Sequence, residues 1–198
     1  MRRFPEILAA VFVAFWAAMA WNPVARDVWW AENIPVMLVF AALALTSRRF
    51  RFSNLAYGLM AVWLFWHTVG GHYTFAKVPF GFVSDLFGFE RNNFDRIGHF
   101  SVGFYAFALA ELLVRTKSAT RPVAYVCSLF FIMAVAAGYE IIEWMYAVRE
   151  GGDAGIAFLG SQGDIWDAQK DMLADTLGAV FSLILFRLAG RDRPEADA

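Results

Sequence analysis

All three histidines of this 198-residue chain, and several of its carboxylates, lie near the ends of apolar segments. In chain order the set is His67, His72, Asp95, His99, Glu140, Glu143, Asp164, Asp167, Asp171 and Asp175. Many of these residues are three or four positions apart, as Asp95 and His99 are, and such residues are neighbours on a helix surface. Imidazole with carboxylate suits zinc, iron or manganese, and without a metal the same groups can carry out acid–base chemistry or relay protons. The sequence predicts a polar site and leaves this choice open.

We assign candidate catalytic roles to His99, Glu140 and Asp171. The candidate metal ligands are His72, Asp95, His99, Glu140, Glu143, Asp167, Asp171 and Asp175. Glu140, Asp171 and Asp175 lie deepest in the apolar segments, where a charge costs ~2.5–3.5 kcal/mol even on lenient insertion scales. They must therefore face the protein interior or a watery cavity, be protonated, pair with Lys170 or Arg96, or bind a cation. No His-Glu-x-x-His motif or repeated Glu-x-x-His pair identifies the metal.

Ordinary structural roles compete with function at several of these positions. Asp95 is suited to cap the helix that contains His99, because a carboxylate satisfies free amides at a helix N-terminus. Asp164 and Asp167 can serve in the same way at the start of the last apolar segment. The pair Gly70-Gly71 predicts a helix end or kink that turns His72 toward the site.

The elements that position these groups are predicted to be transmembrane helices. Hydrophobic residues make up 60% of the chain, against roughly 45–50% in ordinary soluble domains. The mean hydropathy of the chain is +0.49. Six apolar segments cover residues 7–21, 28–46, 55–72, 97–114, 123–148 and 168–188. The predicted fold is an all-α polytopic membrane helix bundle of about six transmembrane helices. We expect one domain over residues 1–190 and a short disordered cytoplasmic tail over 191–198.

The basic residues indicate an orientation, since cytoplasmic loops carry an excess of Lys and Arg. With six spans and a cytoplasmic N-terminus, 11 of the 17 Lys and Arg residues fall inside. These are Arg2, Arg3, Arg48, Arg49, Arg51, Arg115, Lys117, Arg121, Arg187, Arg191 and Arg193. Both termini are then cytoplasmic, and the polar site lies toward the outer face.

Charge and cysteine content exclude several classes of function. The net charge of −1 argues against a nucleic-acid partner, because phosphate binding needs a basic excess. Cys127 is the only cysteine, so the chain has no intramolecular disulfide and no cysteine-rich metal cluster. Its apolar neighbours predict a packed thiol.

Three motifs in this set resemble a known family. Asp95-Arg96-Ile97-Gly98-His99-Phe100 looks like the opening of a span in the VanZ-like group. Gly138-Tyr139-Glu140-Ile141-Ile142-Glu143-Trp144 is similar to the glutamate motif of that group, and Asp171-Met172-Leu173-Ala174-Asp175-Thr176-Leu177-Gly178 to its Asp-x-x-x-Asn-x-x-Gly signature. The strings at 71–74, 91–96 and 163–171 resemble the YjdF-like bacterial inner-membrane proteins of unknown function, distant relatives of that group. Glu143 and Asp175 stand where the VanZ-like pattern has amides, which makes the site more anionic and favours a cation or protons in it.

The resemblance implies a helical membrane protein in the cell envelope and supplies no reaction. Our leading hypothesis is a metal-assisted hydrolase or transferase that acts on a lipid or lipid-linked substrate, with a divalent metal such as zinc, iron or manganese as cofactor. The alternatives are a proton- or cation-coupled transporter and a non-catalytic lipid-binding or scaffold protein. Membrane lipid is the expected partner in each case. The sequence does not decide whether the protein is an enzyme.

Overall fold

The regular structure is helical throughout residues 3–190, the part of the chain that the computed structural model describes. The helices are α1 Phe4–Met19, α2 Arg26–Thr46, α3 Asn54–Tyr73, α4 Gly81–Phe87, α5 Phe94–Val102, α6 Tyr105–Arg115, α7 Arg121–Glu150, α8 Gly152–Leu159 and α9 Asp167–Leu188. A 3-10 turn, Phe75–Lys77, follows α3. Each predicted apolar segment coincides with one of these helices, or in the fourth case with α5 and α6 together. The predicted tail at 191–198 and Arg2 lie outside the described residues.

Three helical stretches are long and apolar enough to cross a membrane: Arg26–Thr46, Phe94–Arg115 and Arg121–Glu150. The first of these is α2, the second joins α5 and α6, and the third is α7. Helix α1 is a shorter apolar helix, and α9 carries charged side chains through its first half. The predicted membrane helix bundle is therefore confirmed, while the count of six spans stays a prediction.

Helices α5 and α9 cross at backbone contact. A Cβ atom placed on Gly178 of α9 would lie 1.9 Å from the carbonyl oxygen of Phe100, and one on Gly103 would lie 2.2 Å from the Ala179 nitrogen. The break between α5 and α6 falls at this crossing, and the Ser182 hydroxyl donates to the Gly103 carbonyl oxygen at 2.9 Å. The crossing fixes the register of α5 along α9.

A buried carboxylate pins the opposite end of the bundle. The Glu111 side chain of α6 accepts from the Ser53 amide at 2.8 Å and from the Ser53 hydroxyl at 2.7 Å. Ser53 is also the N-cap of α3, where its hydroxyl accepts from the Ala56 amide. The Arg115 guanidinium lies 2.5 Å from Glu111 and neutralises it. The main acid of this end is thus used in packing.

Two local predictions were wrong. The Gly70-Gly71 pair does not turn His72 toward the site, because α3 runs through both glycines to Tyr73 and His72 Nδ1 lies 2.7 Å from the Met19 carbonyl oxygen. The two glycines make room for neighbours, since a Cβ on Gly70 would meet the Phe75 ring at 2.3 Å and one on Gly71 the Asn33 amide at 2.8 Å. Cys127 is exposed on α7 rather than packed, because apolar neighbours on a membrane helix indicate a lipid-facing surface as readily as a core.

Substitution at the α5–α9 crossing should destabilise the fold. Gly178→Ala is expected to lower the free energy of unfolding by about 1–3 kcal/mol, the usual cost of overpacking. Gly138→Ala is the matched control, because that helical position in α7 has open space around it and alanine favours helix by up to about 1 kcal/mol over glycine. Thermal unfolding in detergent micelles measures both, and equal midpoints would contradict the packing described here.

Candidate functional site

The α5–α9 crossing brings His99 among three aspartates. Its Nδ1 atom lies 3.0 Å from Oδ2 of Asp175. Its Nε2 atom lies 3.6 Å from Oδ1 of Asp95, one helical turn earlier, and 3.8 Å from Oδ1 of Asp171. Asp171 and Asp175 are almost fully buried, with 2% and 1% of their surface exposed. The sequence spacing of four in α5 and in α9 thus produces one cluster, because the two helices face each other.

Two arginines hold the acidic end of α9. Arg96 of α5 contacts Asp171 and Asp167 at 2.6 Å each, and it also donates to the backbone carbonyl of Asp167 at 3.0 Å. Arg91, in the loop before α5, approaches Asp167 at 2.5 Å. Arg96 was one of the two predicted partners of the buried acids. These pairs satisfy Asp167 more fully than Asp171, whose carboxylate also faces His99.

Lys170, the other predicted partner, lies at the rim. Its Nζ atom contacts Oδ2 of Asp164 at 2.6 Å, and the Trp166 amide donates to Oδ1 of the same carboxylate at 3.1 Å. The Lys170 hydrogen bond, followed by that from the Trp166 amide, lowers the pKa of Asp164. Asp164 is therefore ionised at neutral pH, and its contacts with Lys170 and the Trp166 amide hold the loop before α9. The stabilisation from these contacts is lost as the pH falls and the carboxylate is protonated.

A second cluster faces the first and joins the predicted His67 to Glu32, which the sequence analysis did not include. Glu32 of α2 is 2% exposed and lies 3.1 Å from Nε2 of His67 through its Oε2 atom. The Tyr139 hydroxyl of α7 donates to the same oxygen at 3.0 Å. The available signal was Glu32 itself, a carboxylate within the first third of an apolar helix.

Both clusters line one cavity of about 280 Å³. Asp95, His99 and Asp175 lie on one side, and Glu32, His67 and Tyr139 on the other. Glu143 also reaches its wall and makes no hydrogen bond or ion pair with another described residue. Oδ1 of Asp175 is buried without a hydrogen-bond partner in the described part of the chain. The cavity is therefore rich in carboxylate oxygens that the protein leaves unsatisfied.

The remaining candidates lie at different distances from this cavity. Oε1 of Glu140 is buried and has no partner among the described residues, and the side chain is not part of the cavity wall. His72 is elsewhere, with Nδ1 at 2.7 Å from the Met19 carbonyl oxygen. Asp95 lies in the first turn of α5 and Asn93 precedes the helix, so Asp95 is not its N-cap. Asp167 is the first residue of α9 and is paired by arginines.

The arrangement can hold a metal ion at Asp95, His99 and Asp171. One ligand atom from each of these residues lies within 4.8 Å of the other two. Ligands at ~2.1 Å from one zinc ion are separated by at most about 4.2 Å. The distances of 3.6 and 3.8 Å from His99 to the two carboxylates fall within that limit.

Comparison with known proteins places the chain in a family. The model of a family described as "Predicted membrane protein (DUF2238)" matches residues 4–192. The chain is 41% identical over 161 residues to the inner membrane protein YjdF of Escherichia coli (strain K12). The aligned region covers 79% of this chain and 76% of that protein. No solved structure matches the chain. These similarities confirm the resemblance to YjdF-like proteins and the membrane assignment.

The Arg96 bridge should be essential for stability. Arg96→Gln leaves Asp167 and Asp171 without their shared partner, and breaking an ion pair of this burial should cost on the order of 2–4 kcal/mol. Arg149→Gln, at an exposed arginine near the end of α7, is the control. Adding Asp171→Asn to Arg96→Gln should restore part of the loss, since the double change removes the unpaired charge. Thermal unfolding measures all three variants, and equal midpoints for the two single variants would exclude the bridge as a stabilising contact.

Proposed function

Because this chain belongs to the DUF2238 family of membrane proteins, we propose that it is an integral membrane enzyme with a divalent-metal site that hydrolyses or transfers a group on a lipid or lipid-linked substrate. The site consists of Asp95, His99 and Asp171 as metal ligands. The observation that carries the proposal is the contact of His99 with Asp175 on one ring nitrogen while the other nitrogen faces two carboxylates.

That contact is the usual second shell of a metal site. A ligating histidine commonly donates its other N–H to a carboxylate, which fixes the tautomer and the ring orientation. With the proton on Nδ1 donated to Asp175, the Nε2 lone pair of His99 points toward Asp95 and Asp171. Arg96 orients Asp171 in the same manner, because it contacts Oδ1 at 2.6 Å. A histidine with two carboxylates leaves coordination positions open for water and substrate, as in catalytic rather than structural sites.

The cavity supplies the rest of the chemistry. A bound divalent ion polarises a phosphoryl or acyl oxygen and lowers the pKa of a bound water. In hydrolysis the water adds to the phosphorus or carbonyl carbon, its proton goes to a base, and the leaving oxygen departs with a proton. Glu143 is the candidate base, because it reaches the cavity wall without a partner of its own. Tyr139, whose hydroxyl is held by Glu32, is the candidate donor to the leaving group.

The site is proposed to face the outer side of the inner membrane. The clusters lie at the end of the bundle where the loops before α5 and α9 meet through Arg91 and Asp164. The other end of the bundle carries most of the basic residues, among them Arg48, Arg49 and Arg121. Cytoplasmic loops are the basic ones in bacterial membrane proteins. A substrate of the envelope is therefore the class that this site would meet.

The geometry favours an enzyme over a transporter. Below the polar clusters the cavity is lined by Trp63, Val102 and Ile132. Glu111, the main acid of the opposite end, is occupied by Ser53 and Arg115. An ion or proton path across the membrane needs polar groups along its length, and the acids and histidines among the described residues that line the cavity lie at one end of it.

Zinc binding tests the metal site. Isothermal titration of the purified protein with Zn²⁺, Fe²⁺ and Mn²⁺ should show one site per chain. His99→Ala should abolish it, and Asp175→Asn should weaken it by about 10–100-fold, as loss of a second-shell partner does. His72→Ala is the matched histidine control and should bind as the wild type does. Absence of binding for all three metals, or full affinity in His99→Ala, would refute the site.

A separate experiment tests turnover. Glu143→Gln should keep the metal affinity, because Glu143 is not a ligand in this proposal, and it should abolish metal-dependent conversion of lipids in proteoliposomes made from an envelope lipid extract. Mass spectrometry of the lipids with and without chelator provides the measurement. Wild-type protein that binds metal and converts no lipid would leave a metal-binding membrane protein and rule out the enzyme.

A further inference from the structure

The cavity changes from polar to apolar in one direction along the four helical stretches that line it with more than one residue: α2, α3, α5 with α6, and α7. On α7 the lining residues run from Glu143 and Tyr139 to Ala136, Ile132 and Phe131. Because α7 is continuous over this stretch, successive positions differ by 1.5 Å of rise per residue. Phe131, at the apolar end, thus lies about 18 Å from Glu143 along the helix axis.

The other helices repeat this order. On α2 the cavity wall passes from Glu32 to Pro35 and Val39, and on α3 from His67 to Trp63. The stretch formed by α5 and α6 passes from Asp95 and His99 to Val102 and Tyr105. Since α2 and α5 run antiparallel to α3 and α7, the same order in space requires opposite orders in sequence, and this is what is found. The cavity therefore has a polar end and an apolar end, like an amphipathic molecule.

The cavity is open on one side. Its wall contains residues of both α2 and α7, yet these helices do not pack closely against each other along their lengths. At the polar end, α7 and α2 are joined by the hydrogen bond that the Tyr139 hydroxyl donates to Glu32. Below it, Phe131 and Val135 of α7 line the cavity while 54% and 42% of their surface is exposed. A side chain that is both lining and exposed marks a mouth.

What lies outside that mouth follows from the helices that form it. Both α2 and α7 are long and apolar enough to cross a membrane, so the middle of the gap between them meets the hydrocarbon of the bilayer. Pro35 lies inside α2 and lines the cavity here, and a proline within a helix leaves the carbonyl four residues earlier without its usual donor.

We propose that the gap between α2 and α7 is a lateral opening through which the hydrocarbon chain of a membrane phospholipid occupies the apolar end of the cavity, with its head group at Asp95, His99 and Glu143. This inference rests on the proposed function for the chemistry at the head group, and on the cavity alone for the binding of the acyl chain. The acyl chain lies along Val39, Ile132 and Val135. A metal ion held by Asp95, His99 and Asp171 would bind the phosphate, because the carboxylates alone would repel it.

Photo-crosslinking tests whether a lipid acyl chain occupies the apolar end of the cavity. The full-length protein in nanodiscs of phosphatidylethanolamine and phosphatidylglycerol receives a small fraction of phosphatidylglycerol with a diazirine near the end of one acyl chain. After illumination, peptide mass spectrometry should find adducts on the inward wall residues Ile132 and Trp63, which ordinary lipid contact at the outer surface does not reach. Adducts confined to exposed side chains such as Leu38 and Ile184 would overturn the proposal.

A matched pair of variants tests the opening. Val135→Trp places an indole in the mouth and should reduce the Ile132 adduct by about tenfold or more. Val180→Trp on α9 is the control, because Val180 is similarly exposed, at 40%, and does not line the cavity. It should leave the adduct unchanged. An equal effect of both variants would refute the α2–α7 opening.

Two further measurements separate the possible failures. Val135→Trp should retain zinc affinity, since the metal ligands lie at the other end of the cavity. Acyl-chain adducts in a protein that binds no metal would support the lipid site and refute the proposed function. Metal binding without inward adducts would refute the lipid site and leave the proposed metal site standing. If wild-type protein is dimeric and Val135→Trp is monomeric in detergent, a second copy covers the gap and the lipid assignment is wrong.

Discussion

The backbone contact between α5 and α9 is the constraint on which the site depends. Glycine at 103 and 178 lets the two helices approach until a Cβ on either would overlap the backbone of the other. In membranes such small residues drive helix association, because there is little hydrophobic gain when one apolar helix leaves lipid for another. At this separation a histidine on α5 reaches aspartates on α9 directly. A wider crossing would place water or lipid between His99 and Asp175, and the carboxylates of α9 would lose their partners.

Charge balance explains why this contact must be so specific. Near the polar end, Glu32, Asp95, Glu143, Asp171 and Asp175 face or adjoin the cavity. The nearby cationic or protonatable partners are Arg96, which is shared with Asp167, and the two histidines. The acids therefore exceed the fixed positive charges. Buried carboxylates in this number need protons or a cation, and a histidine held between three of them offers a nitrogen that the acids alone do not.

The sequence predicted the fold further than the site. Each apolar segment coincides with one helix or, in the fourth case, with two, and three of these stretches are long and apolar enough to cross a membrane. Periodicity predicted that Asp95 and His99 share a face and that the three aspartates of α9 do, and both helices do present these groups. Their convergence depends on which helices pack together, and that is set by Gly103 and Gly178, whose role is visible only when the partner backbone is known. Gly70 and Gly71 show the same limit, because they were interpreted as a helix end and instead admit Phe75 and Asn33.

Glu32 shows why part of the site escaped prediction. It has no acidic or histidine neighbour at helical spacing, so periodicity gave no reason to include it, and its partners His67 and Tyr139 come from two other helices. A carboxylate buried in a span is nevertheless costly wherever it occurs, and that cost alone should have marked it. Its position also bears on the cavity: Glu32 holds α2 to α7 at the polar end through Tyr139, and the two helices do not pack closely along their lengths. Helix α2 thus closes the cavity above the gap and leaves it open within the bilayer, which is the arrangement that a lipid with its head held and its chain inserted requires.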